Sequence, residues 1–282
     1  MNILGLVASE RKLGNSEILA KEILSALPGN KRLLRLSDLT IASCRACYAC
    51  LPAGKPCILN DDLTFFLDQI TWADVVVLAS PCYFLGAHTS VKTIGDRLIS
   101  VLNDGSRFRG KRCVTVVSYG VENWDGYARE MLMNFARFLH LDVAGSLTVR
   151  AANPGEAASP AILEQARQLA GLLAAGQTAP PLPQSCPGCA SSLLQLDADG
   201  HIRCVMCGAT GQAGAAAKQL TLCFDTGGHS RFSAAGMAEH GQRLEEIKRE
   251  YGSQRRELLA ARKPYQQMDE WWVKPGHDGH PA

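Results

Sequence analysis

The chain has 282 residues, 46% of them hydrophobic, with 29 basic and 27 acidic side chains and a formal net charge of +2. That near balance leaves no electrostatic footprint for nucleic acid or an anionic membrane surface, and no apolar run reaches bilayer-spanning length. Eleven cysteines behind a start that reads as a buried strand rather than a signal peptide predict a cytoplasmic setting, where closely spaced thiols serve metal or redox chemistry.

Residues 3–8 read as that strand. A polar loop, Ser9 to Ser16, follows, and then a helix carrying Ile18, Leu19, Ile23, Leu24 and Leu27. Asn15 or Ser16 is the expected N-cap. A strand, a glycine-containing loop and a helix start make an anion site, because the free N–H groups and the helix dipole point into the loop. Ser9, Asn15 and Ser16 offer hydrogen-bond donors there, and Arg11 adds charge; an ordinary capped strand–turn–helix has the same pattern.

Residues 32–36 fit a second strand, and 39–42 lead into Cys44, Cys47, Cys50 and Cys57, spaced by two, two and six intervening residues. Three thiolates at two-residue intervals wrap the backbone around something larger than one zinc ion, and a fourth closes the cage. So compact a four-cysteine run favours a [4Fe–4S] cluster, with zinc, a reversible disulfide or an empty loop as the alternatives. Arg45 and Lys55 flank the cysteines and would raise the potential of an anionic cluster.

Asn60 to Asp62 cap a helix over 63–72. Residues 74–79 form the clearest buried strand, β-branched and uninterrupted, which ends in Ser80-Pro81-Cys82-Tyr83-Phe84-Leu85-Gly86. Helices over 89–102, 127–139 and 161–174 alternate with strands over 112–118 and 143–149. Five strands alternating with helices predict a doubly wound parallel α/β sheet, with the loops that follow the strands gathered on one edge. Cys113 and Cys223 are expected to be core thiols, and His88 a surface or cap residue.

Residues 176–185 form a proline-containing linker. Behind it, Cys186 and Cys189 are separated by fourteen residues from Cys204 and Cys207, with a hairpin between the pairs. Two such knuckles predict a zinc-ribbon-like unit over 186–225 binding zinc or a single rubredoxin-like iron, with too few basic and aromatic side chains for nucleic acid. Residues 226–282 read as a helical tail. Trp271 and Trp272 argue that it docks, and His277 and His280 are not expected to bind metal.

Ser9-x-Arg11-x-x-Gly14-Asn15-Ser16, Ser80-Pro81-x-Tyr83-Phe84 and Lys92 to Arg97 resemble the NAD(P)H-dependent FMN reductase family of flavodoxin-like proteins. The cysteine run resembles the iron–sulfur flavoprotein branch of that family. The resemblance covers residues 1–175 and implies FMN, with its phosphate on Ser9, Arg11, Asn15 and Ser16. It places the isoalloxazine against Pro81, Tyr83, Phe84 and the backbone through Leu85 to Gly86. Ser118, Tyr119 and Gly120 would stand at the pyrimidine edge, and Cys82 inside the same loop. It also implies a cluster near the flavin, the two often meeting across a subunit interface in a homo-oligomer.

The expected function is an oxidoreductase that joins a two-electron partner such as NAD(P)H to one-electron carriers such as ferredoxin. No catalytic acid or base stands out. A redox sensor acting through a partner protein and a plain NAD(P)H:FMN reductase with an empty cysteine loop are the alternatives.

Overall fold

A computed structural model describes residues 1–47, 49–50, 55–101, 107–180, 182, 185–186, 189–206, 209–212 and 234–273. Cys207, Cys223, His277 and His280 lie outside the described residues. The chain divides into two units, residues 1–179 with 255–282, and residues 180–254. The sequence pattern groups 226–282 as one tail, whereas the packing divides it at residue 255.

The first unit is built on β1 (Asn2–Val7), β2 (Asn30–Arg35), β3 (Val75–Tyr83), β4 (Gly86–Ala87), β5 (Arg112–Tyr119) and β6 (Asp142–Arg150). The sheet order is β2-β1-β3-β5-β6, with all of these pairings parallel. The helices are α1 (Asn15–Ser25), α2 (Leu63–Trp72), α3 (Thr89–Arg97), α4 (Ala128–Phe138) and α5 (Pro160–Ala174). This is the flavodoxin-like doubly wound architecture that the alternation of elements requires.

Strand side chains alternate between the two faces. Ile3, Val7, Val75 and Val77 join Ile18, Leu24 and Leu169 in the core beneath α1 and α5. Leu4, Leu6, Val76 and Leu78 join Phe66, Ile94 and Leu132 beneath α2, α3 and α4. Both faces are covered, which is why the central strands read as unbroken apolar runs rather than as an alternation.

The strand order reverses between β1 and β3, so the loops that leave these two strands open a crevice at their carboxyl ends. β3 runs beyond the expected end at Ala79. Ser80 and Pro81 stay in register with Val117 and Ser118, and Cys82 and Tyr83 turn back on Gly86 and Ala87. The two turn residues, Phe84 and Leu85, have φ of 48° and 63°. That is the geometry of a tight two-residue hairpin, held here without the glycine or asparagine that usually occupies it.

In the second unit, β7 (Leu194–Leu196), β8 (His201–Cys204) and β9 (Thr210–Gln212) form an antiparallel sheet. Helix α6 (Ala234–Arg262) precedes a 3-10 segment, Lys263–Trp271. Among the described residues, no helix is long and apolar enough to cross a membrane.

Candidate functional site

The loop after β1 is pulled tight. Ser9 Oγ accepts from Arg11 N at 3.3 Å, and Gly14 N donates to Arg11 O at 3.1 Å. Gly14, not Asn15 or Ser16, is the N-cap of α1, and no side chain caps the helix. A Cβ on Gly14 would stand 3.1 Å from Arg11 O and 3.5 Å from Ser9 Oγ, so glycine lets the loop fold this closely. The first-turn N–H groups of α1 are left for an anion.

A buried charge network holds this loop from below. Arg35 Nη1 donates to the Ser9 and Arg11 carbonyls, and Arg35 Nη2 pairs with Glu17 Oε2 at 2.9 Å. Glu17 also accepts from Leu13 N at 2.9 Å and pairs with Lys21 at 2.9 Å. Lys21 in turn donates to Tyr265 O and to Asp269 Oδ1, both at 2.6 Å. Trp272 lies under Arg35, whose guanidinium carbon is 4.6 Å from the ring centroid. Trp272 forms a parallel bridge with Leu33. The expectation that the tryptophans dock therefore holds: Trp272 seats against Lys21 and Arg35, and Trp271 against Lys31 on β2.

The crevice is an open cleft of about 80 Å³ at the strand ends. Ser9, Arg11, Asn15, Ser16, Pro81, Cys82, Tyr83, Ser118, Tyr119 and Gly120 all line it. Ser16 Oγ and Ser118 Oγ lie 2.9 Å apart and join the two strand-end loops. Asn15 is a strut rather than a free donor: its Nδ2 donates to the Ala151 and Asn153 carbonyls, and its Oδ1 accepts from Gly155 and Ala157 N–H.

Phe84, Leu85 and Gly86 do not line the cleft. Phe84 is 99% exposed at the hairpin tip. Gly86 instead packs beneath α4, where a Cβ would stand 2.9 Å from Met131 Sδ. Sequence reasoning quoted Gly14 in its motif without giving it a role, and missed the wall that follows β6, formed by Ala151, Ala152 and Pro154. Only the general rule that ligands meet strand carboxyl ends could have pointed to that wall.

Of the two roles expected for His88, surface or cap, the structure gives the cap. The side chain is buried, its ring accepts from Ser90 N, and the His88 and Tyr83 rings meet edge to face with centroids 5.7 Å apart. The Cys82 thiol donates to the Trp124 and Asp125 carbonyls. Burial, reinforced by the Asp125 charge, pushes its pKa up to about 11. Cys82 should therefore be almost wholly a thiol at neutral pH. It is expected to resist iodoacetamide in the folded protein at pH 7.5 and to react once unfolded, as peptide mass mapping would read. Rapid native labelling would mean that its thiolate is stabilised.

Cys44, Cys47, Cys50 and Cys57 line a second, smaller cavity of about 20 Å³, together with Arg45 and Arg97. Cys47 is exposed, Cys50 buried, and Cys44 and Cys57 lie between. Burial and the neighbouring Cys57, Cys47 and Cys44 push the Cys50 thiol pKa up. So crowded a set takes on charge most readily around a cation. The base of the loop is closed by Thr40 N to Asp62 Oδ2 at 2.6 Å and Ala42 N to Asp61 Oδ2 at 3.0 Å.

Among the described residues, three thiols whose sulfurs all lie within 4.8 Å of one another occur at Cys186, Cys189 and Cys204. Cys189 Sγ and Cys204 Sγ are 3.5 Å apart. Four sulfurs around one zinc ion stand about 3.8 Å apart, given a Zn–S bond of about 2.3 Å. The second-unit thiols approach that spacing. No three sulfurs of the Cys44–Cys57 set come within 4.8 Å of one another.

The profile of a family described as NADPH-dependent FMN reductase matches residues 1–154. The chain is 32% identical over 100 residues to an iron–sulfur flavoprotein of Methanocaldococcus jannaschii, covering 34% of this chain and 51% of that protein. It is 30% identical over 121 residues to one of Archaeoglobus fulgidus, covering 43% and 59%. The chain thus spans about half the length of the curated relatives it matches. A solved flavone reductase aligns over 95% of this chain and 98% of its own with TM-score 0.61 and 19% identity, a likeness of fold. With more than half of its residues matched by the profile, the chain belongs to the NADPH-dependent FMN reductase family.

Proposed function

We propose that the protein is an FMN-dependent oxidoreductase that carries an iron–sulfur cluster on Cys44, Cys47, Cys50 and Cys57. It would link a two-electron partner such as NAD(P)H to one-electron carriers. The observation that carries this reading is the pair of cavities on one unit. One is an anion-ready cleft at the β1/β3 reversal; the other is a four-thiol cavity whose sulfurs spread wider than a single ion needs. The relatives named iron–sulfur flavoproteins support it.

The residues fit both groups. The uncapped start of α1 would take the FMN phosphate, with Ser9, Arg11 and Ser16 around it. Pro81 and Tyr83 would face the isoalloxazine, and Ser118 to Gly120 its polar edge. FMN supplies two-electron chemistry and a cluster single-electron transfer, so the protein's part is to bind, orient and tune. Cys186, Cys189 and Cys204, with Cys207, would hold zinc or a single iron that ties the knuckles together.

The test is metal and sulfide analysis of anaerobically purified protein beside Cys47→Ser and Cys57→Ser. The wild type should hold FMN with about four irons and four sulfides per chain. Each variant should lose most of the iron and sulfide while retaining FMN and the second-unit metal. Iron and sulfide unchanged in both variants would remove the cluster from this loop, and a wild type without flavin would sink the oxidoreductase reading.

A further inference from the structure

Arg97 ends α3, where a cation complements the helix dipole and ordinarily reaches solvent. Here its side chain is 1% exposed. Nη1 donates to Asp61 Oδ2 at 2.7 Å and to Ala42 O at 2.8 Å, and Nη2 reaches Asp61 Oδ1 at 3.2 Å. Nε is buried and has no hydrogen-bond partner among the described residues. The same side chain lines the four-cysteine cavity.

The Arg97 guanidinium keeps its charge at every physiological pH and pairs with Asp61 at 2.7 Å. A buried N–H without an acceptor is costly, and more so on a charged group. The cavity it borders offers sulfur. Arg45, which the sequence suggests for this role, also lines the cavity but is exposed. Lys55 is exposed and does not line it. Solvent weakens the influence of both.

We propose that Arg97 is the resident counter-cation of the four-thiolate site, its Nε–H held for an anionic sulfur of the bound group or of a cysteine ligand. This rests on the cluster reading above. Its charge favours the reduced, more negative state of that group, and Asp61, bound to the same guanidinium, tempers the effect. The pair therefore acts as a two-residue setting of the reduction potential, beyond closing the base of the loop.

The test uses Arg97→Met, Arg97→Lys and Asp61→Asn in the full chain, with circular dichroism and FMN content as folding controls. The readouts are the midpoint potential from an EPR-monitored titration and the rate of iron loss to a chelator. Arg97→Met should shift the one-electron reduction equilibrium at least tenfold toward the oxidised state, about 59 mV lower. Asp61→Asn should move it the opposite way. Arg97→Lys keeps the charge and should hold the potential near wild type, while iron is lost faster because the planar fork is gone.

A merely structural clasp would speed iron loss in all three variants without moving the potential, and that result overturns the proposal. Shifts of the same sign in Arg97→Met and Asp61→Asn also overturn it. A wild type without iron and sulfide fails earlier, at the cluster reading itself, and takes the proposal with it.

Discussion

Arg35→Met is expected to lower stability by about 3–5 kcal/mol, the usual cost of breaking a buried ion pair from one side, and to strip FMN from the protein. The Arg35 and Glu17 side chains are 8% and 2% exposed, so water cannot replace the lost partner. Two carbonyls of the anion loop, those of Ser9 and Arg11, lose their donor at the same time. Urea melts would read the first effect, and flavin-to-protein ratios after desalting the second. Arg35→Lys should recover part of the stability but little of the flavin, because an ammonium cannot span Glu17 and two carbonyls as a fork does. Full flavin occupancy in Arg35→Met would mean that the loop needs no support from beneath.

Lys21→Met should cost a similar amount, about 3–5 kcal/mol, and release the tail. Lys21 is fully buried and bridges Glu17, Asp269 and the Tyr265 carbonyl. The expected signs are faster proteolysis within 255–273 and red-shifted emission from Trp271 and Trp272. Because Lys21 and Arg35 share Glu17, the double variant should lose less than the sum of the two. Emission and cleavage identical to wild type would show that the tail docks by its aromatic contacts alone.

Acid should act on the same clasp. Burial alone would raise the Asp269 pKa, but the hydrogen bonds from Lys21 and Trp272 and the nearby charges of Lys21 and Arg35 bring it below the ordinary 3.8. A carboxylate depressed in the folded state stabilises it above the unfolded value and loses that contribution as pH falls through the folded one. The clasp should therefore stay whole at pH 4 and above and loosen in stronger acid.

The sheet, its loops and the cysteine run were legible because each is written locally. Apolar runs separated by helical periodicity give the strand order class, and thiol spacing is a property of one loop. Arg97 was not legible, since a cation in the last turn of a helix is what any solvated helix would carry. It is buried only because Asp61 and Ala42, 36 and 55 positions away, close over it. The cleft wall after β6 depends likewise on Asn15 reaching across 136 residues to Ala151. The helical reading of the tail held for α6, but its landing place on Lys21 is a pairing 244 positions apart.

The Trp272 bridge to Leu33, with Val273 N donating to Leu33 O at 2.7 Å, also changes how the molecule meets its own copies. β2 is the outermost strand of the sheet, and an open outer strand is a template for a strand from another chain. The tail occupies part of that template from within the same molecule. Chains shortened before Trp272 should stick to one another through β2 and precipitate as they are concentrated, even where the cleft and the cysteine loop are intact.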